Sequence, residues 1–388
     1  MQLTYGNSTA AANVNDLFVA SQNGQLDVVK FLIEKGANIE ARDEDGCTSL
    51  YLASESGRLE VIKFLIEHRA NIQASNPYGW TSLYRASWNG HLEVVKFLIE
   101  HGADIDASTQ GGYTSLLIAS QNGRLEVVKF LIEHGANIEA KDEDGYTSLY
   151  LASENGHLQV VKFLIEHGAN IQASSEFNLR ISESLCLLTW SSDEDGDTSL
   201  HLASAYGHLE VVKFLIEHGA NIDARNLFGH TSLSVASQSG HLEVVKFLIE
   251  HGANIEARGE FNLRISESPC LLTWSSDEDG YTSLYLASTY GHLKVVKFLI
   301  EHGADINASD KDGHTSLYIA SQNGHLDVVK FLIEHGADIN AKNKDGYTSL
   351  SMASHHGHRD IVKFLIEHGA DTNASPLKSL VKKITAML

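Results

Sequence analysis

The tripeptide Thr-Ser-Leu recurs nine times at nearly regular spacing, and this repeat constrains the fold more than any other feature of the chain. The steps between successive copies are 33, 33, 33, 51, 33, 51, 33 and 33 residues. A fixed period of this size is typical of a stack of small units in which each unit contacts only its neighbours. Such a stack presents a long surface rather than the single deep cavity that most enzymes need. The copies begin at Thr48, Thr81, Thr114, Thr147, Thr198, Thr231, Thr282, Thr315 and Thr348.

The charge balance disfavours nucleic acid as a partner. The 388-residue chain carries 29 Lys and Arg against 50 Asp and Glu, which gives a formal net charge of −21. Most of the surface would therefore repel a phosphate backbone. We expect a protein partner with a basic or amphipathic surface, and no nucleic acid.

The sequence also favours a soluble protein in a reducing compartment. Residues 1–13 lack the charged start and apolar run of a secretory signal. No stretch approaches the roughly 18 apolar residues of a membrane span. Only three cysteines occur, at Cys47, Cys186 and Cys270, and none forms a Cys-x-x-Cys motif. We expect a monomer in the cytoplasm, with the nucleus as the alternative, and no membrane partner.

One complete unit, Asp144–Ala173, predicts a turn followed by two helices. Asp-Gly is a turn signal, and Thr147 is placed to cap the first helix. Asn155-Gly156 ends that helix, and the apolar residues within His157–His167 predict a second helix buried on a broad face. Gly168 follows where a left-handed residue closes a helix.

This unit resembles the ankyrin repeat, a β-turn and two helices with Thr-Pro-Leu-His-x-Ala at a period of 33 residues. The resemblance covers about residues 15–375 and implies an all-α ankyrin-repeat solenoid of ten repeats with two enlarged inter-repeat loops. Two departures are systematic. Ser replaces Pro in all nine copies, which removes a pre-organised first helical residue. The His of the motif remains only at His201. Loss of that His elsewhere removes a hydrogen bond that joins repeats in the family, but it does not change the predicted fold.

We divide the chain into an N-terminal extension, 1–14, a single repeat domain, 15–375, and a C-terminal segment, 376–388. The first repeat, Asn15–Ala41, lacks Thr-Ser-Leu, and Asn15 takes its capping position. An atypical first repeat is expected because its outer face meets water. The C-terminal segment has apolar residues at a helical period and is interpreted as a capping helix or tail over the last repeat. A membrane-binding or partner-binding helix is the less favoured alternative.

Two 18-residue inserts, Glu176–Asp193 and Glu260–Asp277, account for the 51-residue steps. The segments 176–196 and 260–280 differ at one position, Leu185 against Pro269, so a two-repeat block was duplicated as a whole. Both inserts enter at a turn between repeats, where added length is tolerated. Three interpretations remain open, namely a lengthened hairpin, a mobile loop and retained intron sequence.

The histidines do not predict a metal or catalytic site. Sixteen of the 21 occupy two repeated positions, before the C-terminal Gly of the second helix and after the Gly that ends the first. Repetition explains these sixteen structurally. The cluster His355-His356-Gly357-His358 has no accompanying Cys or second spaced pair, so zinc is not expected there. The chain has no Gly-rich phosphate loop and no nucleophile elbow. We therefore expect no enzyme activity, no catalytic residues, no metal and no cofactor.

The resemblance implies where a partner would bind. In ankyrin proteins the residues at the tips of the turns, called fingers here, and the two residues after the first helix commonly face the partner. Two fingers are unusually apolar, one in the third repeat and one in the seventh. The candidate partner-binding residues are Tyr78, Trp80, Tyr84, Arg85, Trp88, Tyr113, Tyr146, Tyr206, Leu227, Phe228 and His230.

The third repeat breaks the pattern at several positions at once. Trp80, Tyr84 and Trp88 are four residues apart, so Tyr84 and Trp88 share a helical face. Arg85 occupies a position that is apolar in the other nine repeats. Clustered Trp, Tyr and Arg are typical of binding hot spots. The alternative is that Arg85 stacks on Trp88 only to satisfy its own charge. We favour binding, because local departures from a pattern tend to mark functional sites.

Arg69 is a separate departure, because the equivalent position in the other repeats is Gly. If this position is left-handed, the Arg should cost about 1–2 kcal/mol. No function follows from it.

The sequence thus predicts a non-enzymatic scaffold that binds a partner protein along the concave face of fingers and first helices. The alternative is a substrate-recognition adaptor, or a pathogen or viral effector, that uses the repeats to hold a host protein.

Overall fold

The computed structural model describes residues 7–175, 196–259 and 280–373, and these residues contain twenty helices. The chain divides into two compact units, Met1–Thr189 and Trp190–Leu388, each with five helix pairs. The first unit contains α1 Asn7–Asn23, α2 Leu26–Glu34, α3 Ser49–Glu55, α4 Leu59–Glu67, α5 Ser82–Asn89, α6 Leu92–Glu100, α7 Ser115–Gln121, α8 Leu125–Glu133, α9 Ser148–Glu154 and α10 Leu158–Glu166. The second contains α11 Ser199–Ala205, α12 Leu209–Glu217, α13 Ser232–Ser239, α14 Leu242–Glu250, α15 Ser283–Thr289, α16 Leu293–Glu301, α17 Ser316–Asn323, α18 Leu326–Glu334, α19 Ser349–His356 and α20 Arg359–Glu367.

The fifth repeat shows why the sequence forms a helix pair, and it confirms the predicted boundaries. The Thr147 hydroxyl accepts a hydrogen bond from the backbone N–H of Tyr150 at 3.3 Å, which caps α9. The helix ends before Gly156, and α10 runs from Leu158 to Glu166. Gly168 closes it with φ of +91°, a conformation that glycine adopts without strain.

The core lies within and between adjacent helix pairs. In the fifth repeat Leu149, Ala152, Val161 and Leu164 are at most 1% exposed. Within each compact unit the first helix of a repeat packs on the first helix of the next, and the second on the second. The pairs therefore stack in sequence order, as the resemblance to ankyrin solenoids predicts.

The first repeat departs from the prediction at its start. Asn15 lies inside α1, which begins at Asn7, so its expected role as an N-cap is wrong. The preceding residues Ser8–Val14 are rich in Ala, the strongest helix former, and extend the helix. Val28 is 42% exposed, whereas its equivalent Val61 in the second repeat is 1% exposed. The difference arises because, in the inner repeats, the preceding repeat covers the face of the second helix that carries this valine.

The residues that flank the second insert are hydrogen-bonded to each other at the start of the eighth repeat. The backbone N–H of Gly280 donates to the carbonyl of Gly259 at 2.6 Å, and that of Gly259 donates to the carbonyl of Tyr281 at 3.0 Å. The repeat is therefore joined across the insertion point. The interpretations of both inserts and of the C-terminal segment concern residues 176–195, 260–279 and 374–388, which lie outside the described residues.

Among the described helices, none is both long and apolar enough to cross a membrane.

Candidate partner-binding site

The finger of the third repeat is held rigid by its first residue, Asn76. The side-chain oxygen of Asn76 accepts hydrogen bonds from the backbone N–H groups of Tyr78 and Trp80, both at 3.0 Å. This Asx turn is a local arrangement that Asn forms readily. Gly79 completes the turn with φ of +82°, and a Cβ there would lie 2.9 Å from Thr109. The finger therefore presents Tyr78 and Trp80 from a fixed backbone.

Four aromatic rings follow one another from this finger along α5. The ring centroids of Tyr78 and Trp80 are 5.4 Å apart, and those of Trp80 and Tyr84 are 6.1 Å apart. Trp88 lies 6.1 Å from Tyr84 and 6.5 Å from Trp80. These separations fall within the 4.5–7 Å range of favourable aromatic contacts. The expected shared face of Tyr84 and Trp88 is confirmed.

The four rings differ in access to solvent. Tyr78 is 58% exposed, Trp80 and Trp88 are half-buried, and Tyr84 is only 4% exposed. Tyr84 therefore supports the other rings from below and offers little surface of its own to a partner. Burial raises the pKa of Tyr84 to about 12, against a smaller opposite effect of the Arg85 charge, so its hydroxyl stays protonated near neutral pH.

Arg85 stacks on both tryptophans and pairs with a residue that sequence reasoning missed. Its guanidinium lies 5.0 Å from the ring centroid of Trp88 and 5.8 Å from that of Trp80. Its Nε and Nη2 donate to Oε1 of Glu55, in the preceding repeat, at 2.8 and 2.6 Å. Arg85 thus makes the contacts that the alternative interpretation required, and it also fixes the two tryptophans in place. An Arg at an apolar position calls for a nearby carboxylate, but one sequence cannot show which carboxylate is near.

A groove of about 350 Å³ lies between the third and fourth repeats. Its aromatic walls are Tyr78, Trp80, Trp88 and Tyr113, and Tyr84 also contributes to it. The two fingers that border it are joined, since the backbone N–H of Gln110 donates to the carbonyl of Tyr78 at 3.0 Å. Six candidate residues of the sequence analysis therefore meet at one place, with Arg85 behind the tryptophans.

Tyr146 is separate from this group in its own repeat. Its ring stacks on Tyr150 at 4.3 Å with an interplanar angle of 6°, and it is half-buried. Tyr150 is buried. Tyr146 thus covers a core residue of the fifth repeat.

The remaining candidates lie in the second compact unit. Tyr206 is 56% exposed and faces the ring of His208 at 6.4 Å. Leu227, Phe228 and His230 form the finger of the seventh repeat and are half-buried. The rings of Phe228 and His230 are 6.2 Å apart. A Cβ on Gly196 would lie 2.9 Å from Leu227, so this finger packs closely on the preceding one.

His230 has an electrostatic environment of its own. Burial lowers the pKa of His230, while the Asp197 carboxylate acts in the opposite direction. The carbonyl of His230 lies 3.0 Å from Nε2 of His201, and Thr198 N–H donates to Nδ1 of His201 at 3.1 Å. His201 thus joins the sixth and seventh repeats through the bond that the family pattern implies for it.

The repeated histidines have structural roles, as expected. At the end of the second helix each of nine histidines donates from Nδ1 to the carbonyl of the Phe four residues earlier, at 2.8 Å; they are His68, His101, His134, His167, His218, His251, His302, His335 and His368. At the other position Nε2 donates to a carbonyl of the preceding repeat at 2.9 Å for His91, His157, His292, His325 and His358. This second set supplies a bond between repeats that sequence reasoning missed, although its regular spacing was the available signal. Within the described ranges, no group of three His, Cys, Asp or Glu side chains is arranged to hold a metal ion.

Comparison with known proteins agrees with this architecture. A family model described as "Ankyrin repeats (3 copies)" matches residues 17–109, 106–175, 178–259 and 309–376. A second, "Ankyrin repeats (many copies)", matches residues 284–333. A search of curated proteins gave no match. The matched segments span most of the chain and coincide with the stacked helix pairs, so the chain belongs to the ankyrin-repeat family.

Proposed function

We propose that the chain is a non-enzymatic scaffold that binds a partner protein along the face formed by its fingers and first helices. Ankyrin repeats are general protein–protein interaction modules. The groove between the third and fourth repeats is the proposed centre of this surface. The observation that carries the proposal is the set of aromatic rings on α5 and its finger, held in place by Arg85 and open to solvent on one side.

The groove has the properties of a hot spot rather than of a repeat core. Hot spots combine Trp, Tyr and Arg in partly desolvated positions at the centre of an interface. The stack does not require these residues, because the fifth repeat has Tyr146 and Glu154 where the third has Trp80 and Trp88. Both repeats nevertheless have the same N-cap geometry, with φ and ψ of −91° and 168° at Thr81 and −92° and 168° at Thr147.

Charge and thiol chemistry indicate the kind of partner and the compartment. The net charge of −21 favours a partner with a basic surface, and it opposes nucleic acid. Cys47 is a free, buried thiol, and burial raises its pKa, with the Asp43 charge adding to the effect. A buried thiol held in its protonated form is unreactive. A monomer in the reducing cytoplasm or nucleus is the accompanying proposal, supported by the presence of only three cysteines and no Cys-x-x-Cys motif.

A peptide-display selection against the full chain tests the proposal. Peptides enriched on the wild type would be measured against Trp80→Ala, Trp88→Ala, and against the matched control Tyr347→Ala, His355→Ala at the same positions of the tenth repeat. We expect at least a tenfold loss of affinity, equivalent to about 1.4 kcal/mol, in the first variant only.

The stability of each variant must be measured alongside binding. Trp80 and Trp88 are half-buried and in contact, so their removal should lower the free energy of unfolding by about 1–2 kcal/mol. Trp88→Gln, which installs the residue of the fourth repeat at this position, is the milder variant and should also lose affinity. Enriched peptides that bind all variants equally would place the site elsewhere and contradict the proposal.

A further inference from the structure

We propose that the groove between the third and fourth repeats binds an extended, proline-containing segment with a basic residue beside the prolines. This inference rests on the proposed function and names the partner chemistry of that site. Four observations support it. They are the aromatic walls of the groove, the side-chain N–H donors that line it, the Arg85 guanidinium that already lies on the two tryptophans, and the negative net charge of the chain.

The walls of the groove match the flat apolar surface of a proline-rich segment. Such segments adopt the polyproline II conformation and dock into grooves lined by aromatic side chains. Trp80, Trp88 and Tyr113 are half-buried and Tyr78 is 58% exposed, so ring surface remains open on both fingers. The segment arrives with little conformational freedom to lose, which suits a shallow site.

The groove also provides donors for the ligand's backbone. A polyproline II segment makes no internal hydrogen bonds, so its carbonyls are free to accept. Among the described residues, no acceptor contacts the indole N–H of Trp80 or Trp88, or the side-chain amide of Gln121, and all three side chains line the groove. Donors beside aromatic walls are the combination that such a ligand needs.

The position of Arg85 argues against a cationic ligand on the rings. Its guanidinium already lies 5.0 Å from the ring of Trp88 and 5.8 Å from that of Trp80. The cation-binding face of these two rings is already occupied, by a guanidinium whose charge Glu55 balances. The ligand group against these rings should therefore be neutral, as a proline ring is.

The acidic side chains near the groove favour basic residues beside the prolines of the ligand. Arg85 is neutralised by Glu55, at 2.6 Å. The finger of the fifth repeat adjoins the groove, since the backbone N–H of Glu143 donates to the carbonyl of Gly111 at 3.0 Å. Glu143 and Asp144 in this finger are accessible to solvent, whereas Asp142 is buried and its carboxylate is bound within the turn. Together with the net charge of −21, this favours Lys or Arg on the side of the ligand that faces that finger.

Fluorescence anisotropy with four labelled peptides tests the inference on the full chain. The first peptide repeats Pro-Pro-Leu-Pro between flanking Arg residues. In the second, Ala replaces every Pro; in the third, Glu replaces the Arg residues. The fourth carries trimethyl-lysine and no proline. The chain variants are Trp80→Ala, Trp88→Ala; the milder Trp88→Gln; and the control Tyr347→Ala, His355→Ala at the same positions of the tenth repeat.

We expect the first peptide to bind the wild type and the tenth-repeat control equally, and to bind both tryptophan variants at least tenfold more weakly. The Ala and Glu peptides should also bind at least tenfold more weakly than the first peptide. The inference is overturned if the Ala peptide binds as well as the first, if the trimethyl-lysine peptide binds better, or if Trp88→Gln leaves binding unchanged. If display-selected peptides without proline lose affinity in the tryptophan variants while the first peptide fails to bind, the proposed function stands and this inference falls.

Discussion

The third and fifth repeats have closely similar backbones and different surfaces. Their fingers and N-caps correspond residue by residue, Thr81 and Thr147 have nearly identical dihedral angles, and α5 is one residue longer than α9. Yet the fifth repeat places Leu151 in the core, 1% exposed, where the third places Arg85. The comparison shows that a small set of positions maintains the stack, and that the remaining positions are free to create a site.

A comparison of Arg85 with Arg69 in the second repeat separates two kinds of departure from the repeat pattern. Arg85 is compensated, because Glu55 and two tryptophans contact its guanidinium. Arg69 is exposed at a backbone position with φ of +69°, the one positive φ among the described residues other than glycine. A compensated departure is expected where a function maintains it, whereas an uncompensated one only lowers stability.

The largest effect should follow from removal of the carboxylate that compensates Arg85. Glu55→Gln leaves a guanidinium with a side-chain exposure of only 22% without its charge partner. We expect a loss of about 2 kcal/mol in the free energy of unfolding, measured by chemical denaturation. Adding Arg85→Leu, the residue that the fifth repeat has there, should restore most of the loss. If Glu55→Gln leaves the free energy of unfolding unchanged, Glu55 does not compensate the charge of Arg85. The proposed contrast between the third and fifth repeats would then be contradicted.

A smaller gain should come from Arg69→Gly. Glycine adopts a positive φ without the steric cost that other residues incur, so the variant should be more stable by about 1 kcal/mol. The matched control is Gly102→Arg at the equivalent position of the next repeat. Gly102 has φ of +90°, and a Cβ there would meet nothing within 4 Å, so the control tests backbone strain alone. It should lose a similar amount, and equal stability of all three chains would contradict the interpretation.

The smallest effect concerns the Ser that replaces Pro in nine of the ten repeats. Ser148 is the first residue of α9, it is fully buried, and its hydroxyl has no hydrogen-bond partner within the described part of the chain. Thr147 before it is extended, as a residue preceding proline must be. Ser148→Pro should therefore raise the free energy of unfolding by about 0.4–1 kcal/mol.

Ser148→Ala separates the two causes of this gain, because it removes the buried hydroxyl without fixing the backbone. It should recover only part of the stabilisation, as judged by thermal melting under identical conditions. A decrease in melting temperature with proline would show that the pyrrolidine ring does not fit beside the preceding repeat.

The fold could be predicted almost completely from the sequence, and the site only in part. Repetition averages out local ambiguity, so the caps and helix ends of the fifth repeat are where the pattern places them. The start of α1 was missed because the first repeat has no preceding finger to fix it. The residue type at one repeat position does not reveal which side chain of the neighbouring repeat, 30 residues away, it contacts. Glu55 was therefore not predicted as the partner of Arg85. Burial of Tyr84 likewise depends on packing that spacing alone does not reveal.

The bonds that join neighbouring repeats have a consequence for how this gene can change. In the first compact unit Asn71 N–H donates to Glu40 across 31 residues; around the second insert Asp305 N–H donates to Glu256 across 49, at 2.8 Å. The contact is the same although the chain between its ends is longer by the length of the insert. Each junction recognises the adjoining repeat and is indifferent to the length of chain that leads to it. Recombination can therefore add, delete or enlarge a block of repeats without changing the contacts between neighbouring repeats. An aromatic groove that arises once can be kept while the number of repeats around it increases.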